Sequence, residues 1–285
     1  MNTQPTTQLT PAELLSVAAG GWGYAEAEWI DGWHARASGG FTSRANSAWP
    51  IVVPGKAGST GGPGGSADPD VSDLPRTLER LRAWFAARDL PAQVQCVTGS
   101  ELDQAIAACG YDRVAQLSFR QDARVETLLT ALAQHDIATH PNTTCVLSDH
   151  TDAGWLSVYR SGTLPPVAGQ VLGSGDDGIR FATVTDDRDG SALAIGRVAL
   201  AVPPGGAGPA TWAGIAGIEV TPAARRRGLA KAVIRELIEW AAARGVTDVF
   251  LEVFSTNAAA LELYRTLGFS THHAYHYRMI ESRLG

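Results

Sequence analysis

Arg225-Arg226-Arg227-Gly228-Leu229-Ala230, followed downstream by Asn257-Ala258-Ala259-Ala260-Leu261-Glu262-Leu263-Tyr264, decides how the rest of this chain is read. The first run is a turn entering a helix, where free backbone N–H groups and the helix dipole gather around an anionic phosphate. Gly228 leaves room for a pyrophosphate against the backbone. The amides from Arg226 to Lys231 are the expected donors, and Arg225, Arg226 and Arg227 add side-chain charge. From Gly228 to Arg244 apolar side chains recur at Leu229, Val233, Leu237 and Trp240. That is one buried face of an amphipathic helix, and Gly245 stops it. The second run sets an amide, Asn257, and a phenol, Tyr264, about two turns apart on a later helix. Together they ask for a ligand with phosphates at one end and a reacting group at the other.

Val220-Thr221-Pro222, Arg225-x-x-Gly228-x-Ala230, Asn257-x-x-Ala260-x-x-x-Tyr264 and Leu267-Gly268-Phe269 follow one another in order across 212–269. A lone Arg-x-x-Gly-x-Ala is weak, but four linked elements are specific. In this the chain resembles the GCN5-related N-acetyltransferase (GNAT) superfamily. The resemblance implies acetyl-CoA as cosubstrate, with no metal, and an amine acceptor attacked directly in a ternary complex. It further implies that the strand ending at Ile218 to Val220 splays from the strand Phe250 to Phe254. The pantetheine arm would lie in that gap, its thioester carbonyl accepting a backbone N–H, with Asn257 and Ala260 also against the coenzyme. Such a donor stabilises the tetrahedral oxyanion.

A base is useful because the attacking amine must be neutral. Glu252 is the first choice, since strand alternation turns it away from Leu251 and Val253. Leu251-Glu252-Val253-x-x-x-Asn257 with Tyr264 also resembles the bacterial ribosomal-protein alanine acetyltransferases. There the matching glutamate is the general base and the matching tyrosine the general acid. Glu219, beside the carbonyl-binding strand, competes for the role of base. An acyl-CoA-binding sensor without turnover is the alternative reading, which the presence of both Glu252 and Tyr264 disfavours.

Length and composition agree with two globular units. The chain has 285 residues, 45% hydrophobic and 18% charged, with net charge −6. Positive charge is almost all arginine, and without a basic stripe nucleic acid is not expected as a partner. Cys96, Cys109 and Cys145 have no metal spacing and read as reduced thiols. No apolar run reaches the length of a membrane span, and Met1 to Gln8 is unlike a secretory signal. The expectation is a cytoplasmic protein away from membranes, a monomer or homodimer.

A repeat supports the division. Ala83-Trp84-Phe85-Ala86-Ala87-Arg88 through Val97 aligns without gaps on Glu239-Trp240-Ala241-Ala242-Ala243-Arg244 through Val253, and each copy continues to a Gly-aromatic pair, Gly110-Tyr111 or Gly268-Phe269. The first copy lacks the phosphate turn and the tyrosine, and Cys96 stands where Glu252 maps. The expected fold is α/β, with two GNAT-like domains, each a twisted, mixed and mostly antiparallel sheet flanked by helices. The first, 1–145, is degenerate and carries a Gly-rich loop near 55–68. The second, 146–285, is catalytic. The tandem layout also resembles mycothiol synthases.

Local patterns predict a first helix from Pro11 to Ala19 capped by Thr10, strands around Trp29 to Arg36 and Ser47 to Val53, and a helix from Val125 to Gln134. Trp155–Tyr159, Val167–Leu172, Ile179–Thr185, Ala192–Val202 and Trp212–Val220 read as strands. His272 and His276 alternate onto one face and read as surface or acceptor-side histidines. The block Gly39 to Ser47 is a candidate for acceptor contacts from the first half.

Overall fold

A computed structural model describes residues 9–52, 73–114, 117–134, 142–162, 164–173 and 175–279. The Gly-rich stretch 55–68 and the tail 1–8 lie outside the described residues. In chain order the first half contains α1 (Pro11–Gly20), β1 (Glu26–Ile30), β2 (Trp33–Ala37), β3 (Ala48–Pro50), α2 (Leu74–Ala86), β4 (Gln93–Val97), α3 (Glu101–Ala108), β5 (Asp112–Arg113), β6 (Ser118–Arg124) and α4 (Val125–Gln134). There follow β7 (Thr143–Ser148), α5 (Ala153–Val158), α6 (Ala168–Leu172), β8 (Ile179–Asp186), β9 (Ala192–Ala201), β10 (Trp212–Val220), α7 (Leu229–Ala242), β11 (Asp248–Phe254), α8 (Ala258–Thr266) and β12 (Ser270–Met279). No helix among them is long and apolar enough to cross a membrane.

The strands form one twelve-stranded sheet in the order β1-β2-β3-β4-β12-β6-β11-β10-β9-β8-β7, with β5 on β12. Two pairings are parallel, β3 with β4 and β10 with β11, and they fall at corresponding places in the two copies of the repeat. The others are antiparallel. β6, from the first half, is inserted between β11 and β12, while β12 closes against β4. The sheet therefore runs without a break through the middle of the chain, and β7 spans 143–148 on its far edge.

Burial follows periodicity where the sequence is clear. On α7, Leu229, Val233, Leu237 and Trp240 are buried as expected, joined by Ile234, Ile238 and Ala241, so the buried face is wider than the single stripe. They pack with Val249, Leu251 and Val253 of β11 and with Leu267 and Phe269. Thr10 caps α1 as expected, and Glu13 closes a reciprocal capping box.

Two expected strands are helices. Trp155–Tyr159 belongs to α5 and the short turn after it, and Val167–Leu172 to α6. At α5 the Asp152 carboxylate accepts the Trp155 amide at 2.7 Å, and the buried Trp155 indole N–H donates to Gly196 O at 3.1 Å. A cap and a single anchored indole outweigh the apolar alternation. Of the three histidines on β12, His272 is half-buried, while His273 and His276 are buried rather than on the surface. His276 is buried between Thr98 Oγ1, at 2.8 Å, and Asp103, at 3.0 Å, and His273 is buried beside Arg120. No group of three or more potential metal ligands occurs among the described residues.

Candidate active site

β10 and β11 pair only from Trp212–Ile215 to Asp248–Leu251. Beyond that point each strand keeps its outer neighbour: β10 stays on β9 as far as Val220, and β11 stays on β6 as far as Phe254. A wedge therefore opens in mid-sheet between Ala216–Val220 and Glu252–Phe254. The register of β10 on β9 shifts between Ala216 and Glu219, and Gly217 there has φ +62°. Such a bulge takes backbone groups out of the ladder and turns them aside. Ile218 packs against the core and Val220 is half-buried.

The turn expected to hold phosphate, Arg225–Ala230, follows β10 at the mouth of the wedge. Arg225, Arg226, Arg227 and Gly228 are all exposed. Gly228 caps α7 in the left-handed conformation, φ 81° and ψ 0°, and Arg226 is also left-handed at φ 61°. A non-glycine residue held there stores strain, and left-handed residues in a turn gather N–H groups into an anion-binding concavity. The Leu229 side chain is buried, so its amide is the part available at the turn, beside that of Ala230. The Lys231 amide already donates to Gly228 O at 2.9 Å, which makes Lys231 a poorer backbone donor than expected. Arg225 Nε reaches Val220 O at 3.3 Å and ties the turn to the strand.

On α8, Asn257 Oδ1 accepts the Ala260 amide at 3.2 Å, the expected cap, and among the described residues its NH2 makes no hydrogen bond. Tyr264 is only 8% exposed and its ring packs edge-on to Phe269. Burial pushes its phenol up to about 12, so it stays protonated through the neutral range. Among the described residues that hydroxyl makes no hydrogen bond, and it is not one of the sealed polar atoms.

The two glutamates differ sharply. Glu252 turns away from Leu251 and Val253 as alternation requires, but it is buried against Arg44 and Arg120, each of which pairs with one of its oxygens. Burial alone would raise its pKa, yet the two guanidiniums outweigh it and hold the carboxyl below its usual 4.5. Arg120 is fully buried and comes from β6, and Arg44 comes from the turn after β2. Neither was legible as a partner of Glu252, because nothing in local spacing links those three positions. Glu219 is half-buried and accepts the Arg160 amide at 3.2 Å. Burial dominates there and raises its carboxyl above the usual value, against the Arg160 amide and charge.

The first half also reaches the site through its 39–47 block. Asn46 staples the loop: its Oδ1 accepts Ser38 N and Gly40 N at 2.7 and 3.0 Å, and its NH2 donates to Phe41 O and Thr42 O. Thr42 is held at φ 63°, an outlier for a β-branched residue. The loop presents Phe41 beside Arg160, and Arg44 both to Glu252 and over the Trp22 ring.

Glu252→Gln removes one buried charge and leaves two guanidiniums uncompensated. Breaking such a cluster costs about 3–5 kcal/mol, and a urea midpoint measured at pH 7 should fall accordingly. The sign with pH follows from a depressed carboxylate. Its contribution is complete above about pH 4.5 and is lost as pH falls through the folded-state value, so wild type and variant should converge in acid. Equal midpoints at pH 7 would show that the cluster does not hold the halves.

A family model described as "Probable histone acetyltransferase Rv0428c C-terminal" matches residues 12–278. The "Probable histone acetyltransferase Rv0428c" of Mycobacterium tuberculosis is 27% identical over 94% of this chain and 74% of its own length. The "[Ribosomal protein bS18]-alanine N-acetyltransferase" of Salmonella typhimurium is 34% identical over 45% of this chain and 81% of its own. Among solved structures, a GCN5-related N-acetyltransferase from Kribbella flavida superposes with TM-score 0.63 at 14% identity, covering 94% of this chain and 95% of that one. A tandem GNAT protein from the clavulanic acid pathway reaches 0.54 at 15% identity, over 75% and 70%. These likenesses carry the fold.

Proposed function

Since the chain belongs to the Rv0428c C-terminal acetyltransferase family, within the GNAT superfamily, we propose that it is an acetyl-CoA-dependent N-acetyltransferase acting on a primary amine. The observation that carries this reading is the wedge between β10 and β11 with an amide-rich, arginine-flanked turn at its mouth. Phosphates would sit on the turn at Arg225–Ala230, and the pantetheine arm in the wedge past Asn257 and Ala260. The thioester carbonyl would meet an amide that the bulge near Gly217 frees.

In the proposed reaction the amine nitrogen attacks the thioester carbonyl and a C–N bond forms. The C–S bond then breaks, the amine proton passes to a carboxylate, and the thiolate takes a proton from Tyr264. We assign the base to Glu219 rather than to Glu252. A carboxylate raised by burial is the stronger base near neutral pH, whereas one held between two guanidiniums is the weaker. Glu252 would instead tie Arg44 and Arg120 to the catalytic half. On this reading the chain is two units, near 1–145 and 146–285, that exchange strands β6 and β12. The first binds no coenzyme and shapes the acceptor side. A cytoplasmic location and a monomeric or homodimeric state remain part of the same proposal.

The test is release of free thiol from acetyl-CoA in the presence of a panel of amines; binding of acetyl-CoA without release by any of them would favour the sensor instead. Tyr264→Phe deletes one hydroxyl from a packed ring. It should lower kcat by on the order of 100-fold while calorimetry shows acetyl-CoA affinity within about 2-fold of wild type, a difference below half a kcal/mol. Unchanged kcat would remove Tyr264 from the chemistry.

A further inference from the structure

We propose that the acceptor amine carries an oxyanion and that Arg160 is the residue that recognises it. The inference rests on the acetyl-transfer reading and names its substrate class. Arg160 directly follows Tyr159, beyond α5, in the left-handed conformation at φ 50°. A non-glycine residue there costs on the order of 1–3 kcal/mol and persists only where its surroundings enforce it. What enforces it faces the site: the Arg160 amide donates to the Glu219 carboxylate at 3.2 and 3.4 Å. The residue that pins the base is thus the one whose side chain projects beside it.

That side chain is placed by aromatic faces, and Glu219 feels it only as a nearby charge. The guanidinium lies over the rings of Phe41, at 5.5 Å, and Tyr159, at 5.6 Å, and the residue is exposed. Aromatic faces orient an arginine and leave its planar N–H fork free for a carboxylate or phosphate. No ion pair engages it among the described residues. The nearby carboxylates are committed, Glu252 to Arg44 and Arg120, and Glu219 to the Arg160 amide. Arg160 therefore presents an exposed guanidinium beside Glu219, and the buried cluster behind it sets two arginines against one carboxylate. A lysine-rich peptide or a polyamine would add positive charge to that surplus, whereas an amine bearing its own anion would cancel it. Phe41 belongs to the stapled loop of the first half, so the first half would act on acceptor choice through the platform under Arg160.

Matched acceptors test this. Glycine and O-phosphoethanolamine each carry an amine and an oxyanion; glycinamide and ethanolamine carry the amine alone; spermidine and a lysine-rich peptide carry further positive charge. Wild-type kcat/KM should favour one anionic amine over its uncharged counterpart by roughly 10- to 100-fold, the range for a hydrogen-bonded charge. Which of the two is favoured tells carboxylate from phosphate. Arg160→Gln should collapse that ratio towards one, acting on KM more than on kcat, and Arg160→Lys should restore part of it. Preference for the peptide or spermidine, or an equal loss with all acceptors in Arg160→Gln, overturns the inference. A second measurement is independent of turnover. N-acetylglycine and N-acetylglycinamide, or the corresponding N-acetylated phosphoethanolamine and ethanolamine, are titrated into the enzyme with coenzyme A bound. The anionic probe of one pair must bind tighter, and Arg160→Gln must erase the difference. Failure of acetyl transfer itself would appear instead as no thiol release with any amine, while the binding comparison still decides this point.

Discussion

Gly228→Glu should abolish acetyl-CoA binding, with calorimetric affinity falling at least about 100-fold. The substitution has two effects. Gly228 sits at φ 81°, where a residue with a Cβ pays roughly 1 kcal/mol or more. The new carboxylate would then stand at the start of α7, where the coenzyme pyrophosphate is expected, and repel it at close range. Gly228→Ala separates the two: its conformational cost falls on the free and the bound protein alike, so it lowers stability by roughly 1 kcal/mol and leaves affinity within about 2-fold of wild type. Because the position is exposed, neither change should unfold the protein, and a urea midpoint only modestly below that of wild type checks this. Unchanged affinity in Gly228→Glu would take the phosphate site away from this turn, and with it the argument that the wedge holds pantetheine.

The turn at Arg225–Gly228, α7, β11 and α8 were readable as elements because each is a local pattern: a buried stripe, a Gly stop, an Asn cap, an alternation. α5 and α6 were not, since five or six residues of apolar alternation fit a strand as well as a buried helical turn. What decides Trp155 is a hydrogen bond to Gly196, a residue far along the chain. β7 escaped notice as a short edge strand in which none of the six side chains is fully buried. The pairing of β6 with β11 and of β12 with β4 is invisible to any local reading, because it is a choice of partner and not of conformation. Glu252 shows the same limit within the site. Its orientation followed from alternation, but the two arginines that close over it arrive from β6 and from the loop after β2, and no local pattern points to either. Arg160 gave no sequence signal. Only its left-handed backbone and its bond to Glu219 mark it.

Glu219→Gln should lower kcat/KM by on the order of 100- to 10,000-fold near neutral pH, the range for loss of a positioned base. Wild-type activity should fall in acid as Glu219 protonates, with a midpoint above the usual 4.5 because burial raises this carboxyl. With Glu219 as the proposed base its deprotonated form would be the active one, so the limb must rise with pH and vanish in the glutamine variant. Residual activity in Glu219→Gln should then climb at alkaline pH, where more of the acceptor amine is neutral without help. Tyr264→Phe must not show that rescue, since its defect lies in the departing thiolate. Glu252→Gln makes the comparison sharp: once its lower stability is allowed for, it should keep the wild-type acid limb, because a carboxylate held below 4.5 between Arg44 and Arg120 has no proton to exchange in that window. Loss of the limb in Glu252→Gln, with Glu219→Gln behaving as wild type, would return the base to β11.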